Sequence, residues 1–259
     1  MSEDAAGEHA PAPQTDAERL ALVQAQLSGR WAEPPPDQMT SRRVEMRRLA
    51  DSMRIIMERL VATAAPTETI IDVADQLART ALVFDHWPHG TLYEGVAEAA
   101  NAGGDPHVMF EHSPFIGHAN PLAPPIRLLE LGGVVHGRVT FGSAYEGPPG
   151  CVHGGYIAGA FDELLGATQS LSGKPGMTAR LTVDYRSPTP LHTELHMVGE
   201  LSRVEGRKIF TEGRLHAVEP DGSERLCAEA EGLFIGIDFS RFADLKAQRE
   251  QAERHRLGH

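Results

Sequence analysis

Apolar residues recur along this chain with two periods, and the switch between them divides a helical part from a strand-rich part. From Ser41 to about Ala64, the residues Val44, Leu49, Met53, Ile56, Met57, Leu60 and Val61 fall near three-to-four spacing, with Arg and Glu between them. That is the period of a helix with one apolar face. Ser41 is placed to cap its start and Pro66 to end it. A second helix is expected from Glu68 to about Leu82, the pair forming a hairpin that covers part of the main domain. Beyond Gly90 the pattern lapses. Ser113-Pro114-Phe115 and Asn120-Pro121-Leu122-Ala123-Pro124-Pro125 are extended or turn segments, because proline fixes φ and restricts its predecessor.

From Ile126 the period shortens to two. Runs from Ile126 to Leu131 and from Val134 to Phe141 flank Gly132-Gly133, a hairpin signal. After the loop Tyr145 to Gly150 a helix is expected from about His153 to Ser170, with Ile157, Phe161, Leu164, Leu165, Thr168 and Leu171 on its apolar face. Four strand-like runs follow: Met177 to Arg186, Thr193 to Val204, Lys208 to Val218 and Leu226 to Ile237. Glu219-Pro220-Asp221-Gly222 is a turn, and Gly232 is read as a bulge because it breaks the alternation of the last run. Phe239 to His259 reads as a charged C-terminal helix or tail. With no later helix, the four late strands are expected to form an antiparallel meander. The fold class is α+β, one helix against one large sheet.

Composition adds boundaries. Residues 1–40 are rich in Ala, Pro, Glu, Asp and Gln and include Pro34-Pro35-Pro36, so they are read as disordered or loosely attached. Residues 41–104 then form a helical extension, 105–238 the main domain and 239–259 the tail. The hydrophobic fraction of 41% suffices for a packed core. A net charge of −12, with no basic block, argues against nucleic acid as the principal partner. Cys151 and Cys227 imply no disulfide framework. No apolar run is long enough for a membrane span, and Met1-Ser2-Glu3-Asp4 is unlike a signal peptide. A soluble, cytoplasmic protein without a membrane partner is expected.

The candidate chemistry gathers at the long helix. Gly154 and Gly155 fall in its first turn, where backbone N–H groups have no intrahelical partner and the helix dipole adds positive charge. Such a fixed donor suits an oxyanion developing on a carbonyl, although glycines also serve a plain turn. Asp162 shares a face with Gly155, Ala158, Gly159 and Gly166, all small, which leaves room for a ligand or a neighbouring chain. Asp162 is a candidate general base or nucleophile; an acidic residue beside Glu163 is also an ordinary solvent-facing side chain. The rise from Gly154 to Asp162 is roughly 12 Å. Donor and attacking group must each lie about 3 Å from one reacting centre. Within one chain the two cannot serve the same carbonyl, so a site shared between antiparallel copies of the helix is expected.

Glu146-Gly147-Pro148-Pro149-Gly150-Cys151-Val152-His153-Gly154-Gly155, Asp162, Met177-Thr178-Ala179 and Tyr185-Arg186-Ser187-Pro188 resemble the hotdog-fold acyl-CoA thioesterases. The likeness is closest to the phenylacetate-pathway branch and to its relatives in the thioesterase superfamily that include mitochondrial long-chain enzymes. It covers about Ser113 to Ile237. The resemblance implies a curved antiparallel sheet wrapped around a central helix, assembled as a homodimer or a dimer of dimers. It implies a catalytic carboxylate at Asp162, an oxyanion donor at Gly154 or Gly155, His153 beside the thioester, and Thr178 positioning the water or the carboxylate. For the phosphates of coenzyme A it points to Arg186, with Asp184 nearby, and to Arg207 and Lys208. From the residues alone, Thr178 is a strand hydroxyl and Lys208 the end of a solvated hairpin.

His112, His118 and His136 lack ligand-like spacing, so no metal is expected, and no cofactor beyond the coenzyme A of the substrate. Cys151 has no obvious base nearby, and Cys227 is read as strand packing. The expected activity is hydrolysis of an acyl-CoA thioester to a carboxylic acid and free coenzyme A. The alternatives are a non-catalytic acyl-CoA-binding protein of the same fold and a hotdog enoyl-CoA hydratase.

Overall fold

The computed structural model describes residues 39–61, 63–87, 111–174 and 176–236. The readings of residues 1–38, 88–110 and 239–259 lie outside them. Helix α1 is Ser41–Val61 and α2 is Thr67–Leu82, followed by a 3₁₀ turn at Val83–His86. Strands β1 (Arg127–Leu131) and β2 (Val134–Val139) precede helix α3 (Gly154–Ser170). Strands β3 (Gly176–Tyr185), β4 (Leu195–Glu205), β5 (Lys208–Val218) and β6 (Glu224–Gly236) follow it. No helix among the described residues is long and apolar enough to cross a membrane.

All six strands form one antiparallel sheet in the order β1-β2-β4-β5-β6-β3. The hairpin at Gly132-Gly133 is present, both glycines having positive φ, 61° and 84°. The expected meander is corrected. β4, β5 and β6 run as one, but β3 lies at the far edge beside β6. The residues between β3 and β4, 186–194, are too many for a hairpin turn and instead run back to β4 past the mouth of α3. Val152 donates to the Thr189 carbonyl at 2.9 Å and Leu191 to that of Gly150 at 3.1 Å.

The core lies between α3 and the sheet. Phe161, Leu164 and Leu165 are fully buried, as are Val135, Met197, Ile209 and Leu215 on the strands they face. The close fit needs bare backbone. Gly199 and Gly213 face each other across β4 and β5. A methyl group on Gly213 would sit 3.1 Å from Leu165 and 3.2 Å from Phe161, and one on Gly199 would collide with Thr168. Gly232 lies on the same face two residues along, opposite Thr211: a methyl there would lie 2.6 Å from Thr211 Oγ1 and 2.7 Å from Phe234. The bulge expected at Gly232 is therefore a correction, since the residue stays in register with Leu181 and Thr211 and gives way to packing. The unpaired residues are Ala179 on β3, Ser202 on β4 and Cys227 on β6. Each adds twist and bend, which curls the sheet around α3.

The extension differs from its pattern. Thr40, not Ser41, caps α1, its Oγ1 accepting from the Arg43 N–H at 3.3 Å, and Pro66 precedes α2 rather than ending α1. Only Ala50 of α1 is buried. Polar clamps hold the helix to the domain: Arg47 pairs with the buried carboxylate of Glu111, and Arg54 donates to the carbonyls of His118 and Asn120 at 2.9 and 2.7 Å. Val44, Leu49, Met53, Leu60 and Val61 of the apolar stripe are exposed on the single chain. α2 buries no residue and does not pack along α1, so the expected hairpin is corrected and α1 alone covers the domain.

Candidate active site

The mouth of α3 is built by the glycine-rich loop before it. Gly147 donates to the Cys151 carbonyl at 2.9 Å and His153 to that of Tyr145 at 2.9 Å. A side chain on Gly147 would strike the His153 backbone at 2.7 Å, so the loop closes only with glycine there. His153 is the N-cap, with φ −62° and ψ 132°. Its exposed ring turns back so that Nδ1 accepts from the Gly155 N–H at 3.0 Å. A neutral ring accepting at Nδ1 carries its proton at Nε2, facing outward.

The consequence falls on the two glycines. The Gly155 amide is taken by His153, whereas among the described residues the Gly154 N–H has no acceptor. The Gly154 carbonyl accepts from Tyr185 Oη at 2.9 Å, tying the end of β3 to the first turn of the helix. Tyr185 stands in the motif of the sequence without a role assigned; this contact supplies one.

Asp162 is exposed on the small-residue face of α3, and Thr178 Oγ1 donates to its Oδ1 at 2.9 Å. The bulge at Ala179 makes that contact possible. Leu181, Val183 and Tyr185 alternate toward the helix, so a regular strand would aim Thr178 away from it. The unpaired Ala179 shifts the alternation by one, and Thr178 lies opposite Phe234, whose side chain is in the core. Neighbours across a ladder share a face.

α3 is unbroken from Gly154 to Ser170, which keeps the Gly154 amide roughly 12 Å along the axis from Asp162. The expectation of open space along the small face is met only in part. Nothing stands within 4 Å of a side chain added at Gly166, but one added at Gly159 would run into the Phe115 ring.

The cations do not gather at this centre. Asp184 lies opposite Glu229 on the face of the sheet away from α3, and Arg186 donates to Glu229 Oε2 at 2.8 Å and pairs with Asp184 at 3.6 Å. Arg207 and Lys208 stand at the other end of β6, where Lys208 lies opposite Ile235 and Arg207 Nε donates to the Gly236 carbonyl at 3.1 Å. From Glu229 to Ile235 the strand rises about 20 Å. One chain cannot bring Arg186 and Lys208 to the same group. His136 stacks on His196 with ring centroids 5.5 Å apart, and no three His, Cys, Asp or Glu side chains among the described residues meet in ligand geometry. Cys227 is buried in β6.

Sequence reasoning missed Glu163. It is partly buried beside Asp162 and accepts from the hydroxyl of the fully buried Ser113 at 2.9 Å. Burial pushes its carboxyl up from 4.5 to about 7, the hydrogen bond from Ser113 pulling it back and the charge of Asp162 adding to the rise. Between those values the folded chain holds a proton that the unfolded chain has lost, so the contribution of this carboxyl to stability is greatest below about 4.5 and is lost as pH rises through 7. Glu163→Gln should remove this dependence and stabilise the protein at pH 8 by about 1–2 kcal/mol, less than the whole shift because water still reaches the carboxyl. Urea midpoints of both proteins across the range check it; parallel pH profiles would refute it.

The model of the Thioesterase superfamily matches residues 149–223, from the glycine-rich loop through the β5–β6 turn. Acyl-coenzyme A thioesterase THEM4 of Xenopus laevis is 39% identical over 96 residues, 37% of this chain and 42% of that protein. Acyl-coenzyme A thioesterase THEM5 of Homo sapiens is 30% identical over 96 residues, 37% of this chain and 38% of that protein. The matched stretch thus spans about two fifths of these curated relatives. A crystal structure of a thioesterase superfamily protein superposes with a TM-score of 0.64 at 35% identity, covering 78% of this chain and 97% of that one. With the sheet curled around α3, the glycine-rich mouth and this match over nearly the whole of a solved member, the chain belongs to the thioesterase superfamily and has its hotdog fold.

Proposed function

We propose that the protein hydrolyses an acyl-CoA thioester to a carboxylic acid and free coenzyme A, at a site completed by a second copy of the chain. The observation that carries this reading is the hydrogen bond from Thr178 to Asp162 Oδ1. It fixes the carboxylate plane and leaves Oδ2 to act. As base, Oδ2 takes a proton from water while the water oxygen bonds to the acyl carbon. As nucleophile, it forms an acyl anhydride that water then cleaves. On either route the carbonyl oxygen gains negative charge, for which the Gly154 N–H is the donor left available. The C–S bond breaks, and the coenzyme leaves as a thiolate that takes up a proton. The neutral His153 ring, with Nε2–H outward, offers a further donor at the thioester.

The need for two copies follows from the separation along α3, and β3 supplies a means. It is an edge strand of ten residues, paired among the described residues only with β6, with Met177 59% and Tyr185 54% exposed. An edge of that length invites another strand. Antiparallel pairing of two β3 strands would extend the sheet and lay the two α3 helices side by side in opposite directions, each Asp162 near the other's Gly154. For the coenzyme phosphates, Arg207 and Lys208 at the β4–β5 turn are the proposed cations. Lys174 is close by, donating to the Gly206 carbonyl at 3.1 Å. Arg186, already committed to Glu229 and Asp184, is less suited.

A thiol-release assay over saturated and 2-enoyl acyl-CoA esters tests the activity directly. Free coenzyme A and carboxylic acid should appear in equal amounts. Tight binding of acyl-CoA without thiol release would instead establish a binding protein, and loss of the enoyl chromophore without thiol release would establish a hydratase.

A further inference from the structure

The small-residue face of α3 is open at Gly166 and walled at Gly159, and the wall comes from outside the sheet and helix. Phe115 belongs to the segment 111–126 that carries the chain from the helical extension to β1. Its ring fills the place where a Gly159 side chain would stand. On the helical wheel Gly159 is about 60° from Asp162 and one turn nearer the mouth, so the ring stands beside the exposed face of α3 that carries the carboxylate. It is firmly backed. Tyr156 packs edge-on to it at 6.3 Å between centroids, and Tyr145 edge-on to Tyr156 at 4.8 Å.

The backbone under the ring is fixed as well. Ser113 Oγ donates to Glu163 Oε1 at 2.9 Å and accepts from the N–H groups of Phe115 and Ile116 at 3.2 and 3.3 Å. One hydroxyl thereby joins α3 to the two residues that place the ring. The clamps of Arg47 on Glu111 and of Arg54 on the His118 and Asn120 carbonyls hold the rest of the segment.

We infer that Phe115 sets the size of the acyl group that the site accepts, with Ser113 and Glu163 as positioning residues that hold its ring against α3. The inference rests on the thioesterase reading of the site. An acyl chain leaving a thioester at Asp162 along the small-residue face meets this ring. The wall is aromatic, so the chain it selects is apolar, and the space beyond a removed ring admits further methylenes. Each buried methylene is worth roughly four-fold in kcat/KM.

The test compares wild type, Phe115→Ala, Phe115→Leu and Phe115→Trp in kcat/KM over saturated acyl-CoAs from short to long. The ratio for long over short chains should rise about ten-fold or more in Phe115→Ala, rise less in Phe115→Leu and fall in Phe115→Trp. Should Phe115→Ala fail to fold, the Leu and Trp variants carry the same comparison. An unchanged ratio in folded variants on both sides of the wild-type size overturns the inference while leaving hydrolysis standing. If the wild type releases no thiol, calorimetric binding of non-hydrolysable acyl-CoA thioethers reads the same ratio. A size-dependent shift there supports the wall although hydrolysis has failed, and a flat series or no binding overturns it.

Discussion

Asp162→Asn should lower turnover of acyl-CoA by about 10²–10⁴-fold, and Gly154→Pro by about 10²–10³-fold, with both proteins folded and both still binding coenzyme A. The amide of asparagine can still accept from Thr178 but can neither take a proton from water nor attack the acyl carbon. Proline at position 154 is the narrowest available change. It removes a single N–H at the first helical residue, where helices tolerate proline, and His153 already has the extended φ and ψ that a following proline demands. A Cβ there would stand 3.2 Å from Tyr185 Oη, a contact that a small shift of the tyrosine relieves. Mixing the two inactive proteins distinguishes a shared site from a private one. In a mixed dimer the intact Asp162 of one copy faces the intact Gly154 of the other. Random exchange at equal amounts should then restore about a quarter of the wild-type rate, since half the dimers are mixed and each has one good site. Mixtures as inactive as their components would place both groups in one chain's site and overturn the dimer reading.

Phe161→Ala should cost about 3–5 kcal/mol of stability, the range for emptying the place of a buried aromatic ring. The ring is fully buried and rests on the bare backbone of Gly213. Its surroundings cannot collapse into the void, because one wall is sheet backbone held by the β4–β5 and β5–β6 ladders. Phe161→Leu, which refills most of the space, should cost less than half as much. Urea denaturation of the three proteins measures both. A Phe161→Ala loss under about 1.5 kcal/mol would mean that helix and sheet can close up and that their contact is looser than the glycine row implies.

Local signals were legible in the sequence and distant ones were not. The apolar spacing of α3 and the glycines at 132 and 133 act within a few residues, so period and turn chemistry were enough to place them. The position of β3 was hidden because residues 186–194 carry prolines but no tight-turn pair, and nothing local tells a strand which neighbour it will find. Asp162 and Thr178 could be named from the motif, but their hydrogen bond depends on an unpaired Ala179 that alternation alone does not reveal. Arg186 looked free because Glu229, its partner, lies on another strand. His153 was read as a companion of the thioester, and its capping of Gly155 went unseen, since histidine is not among the usual N-cap residues. Phe115 lay in a stretch legible only as irregular.

Ala179 gives the edge strand a parity. On one side of it Thr178 faces the helix, and on the other Leu181 and Val183 do, so even and odd positions exchange duties at one residue. Were Ala179 drawn into the ladder opposite Phe234, β3 would be straighter with every rung matched to β6, and the sheet would gain. The same change would move Thr178 opposite Ile235, swing its hydroxyl to the other face and leave the Asp162 carboxylate unsupported. At this one residue, regularity of the fold and competence of the site pull in opposite directions.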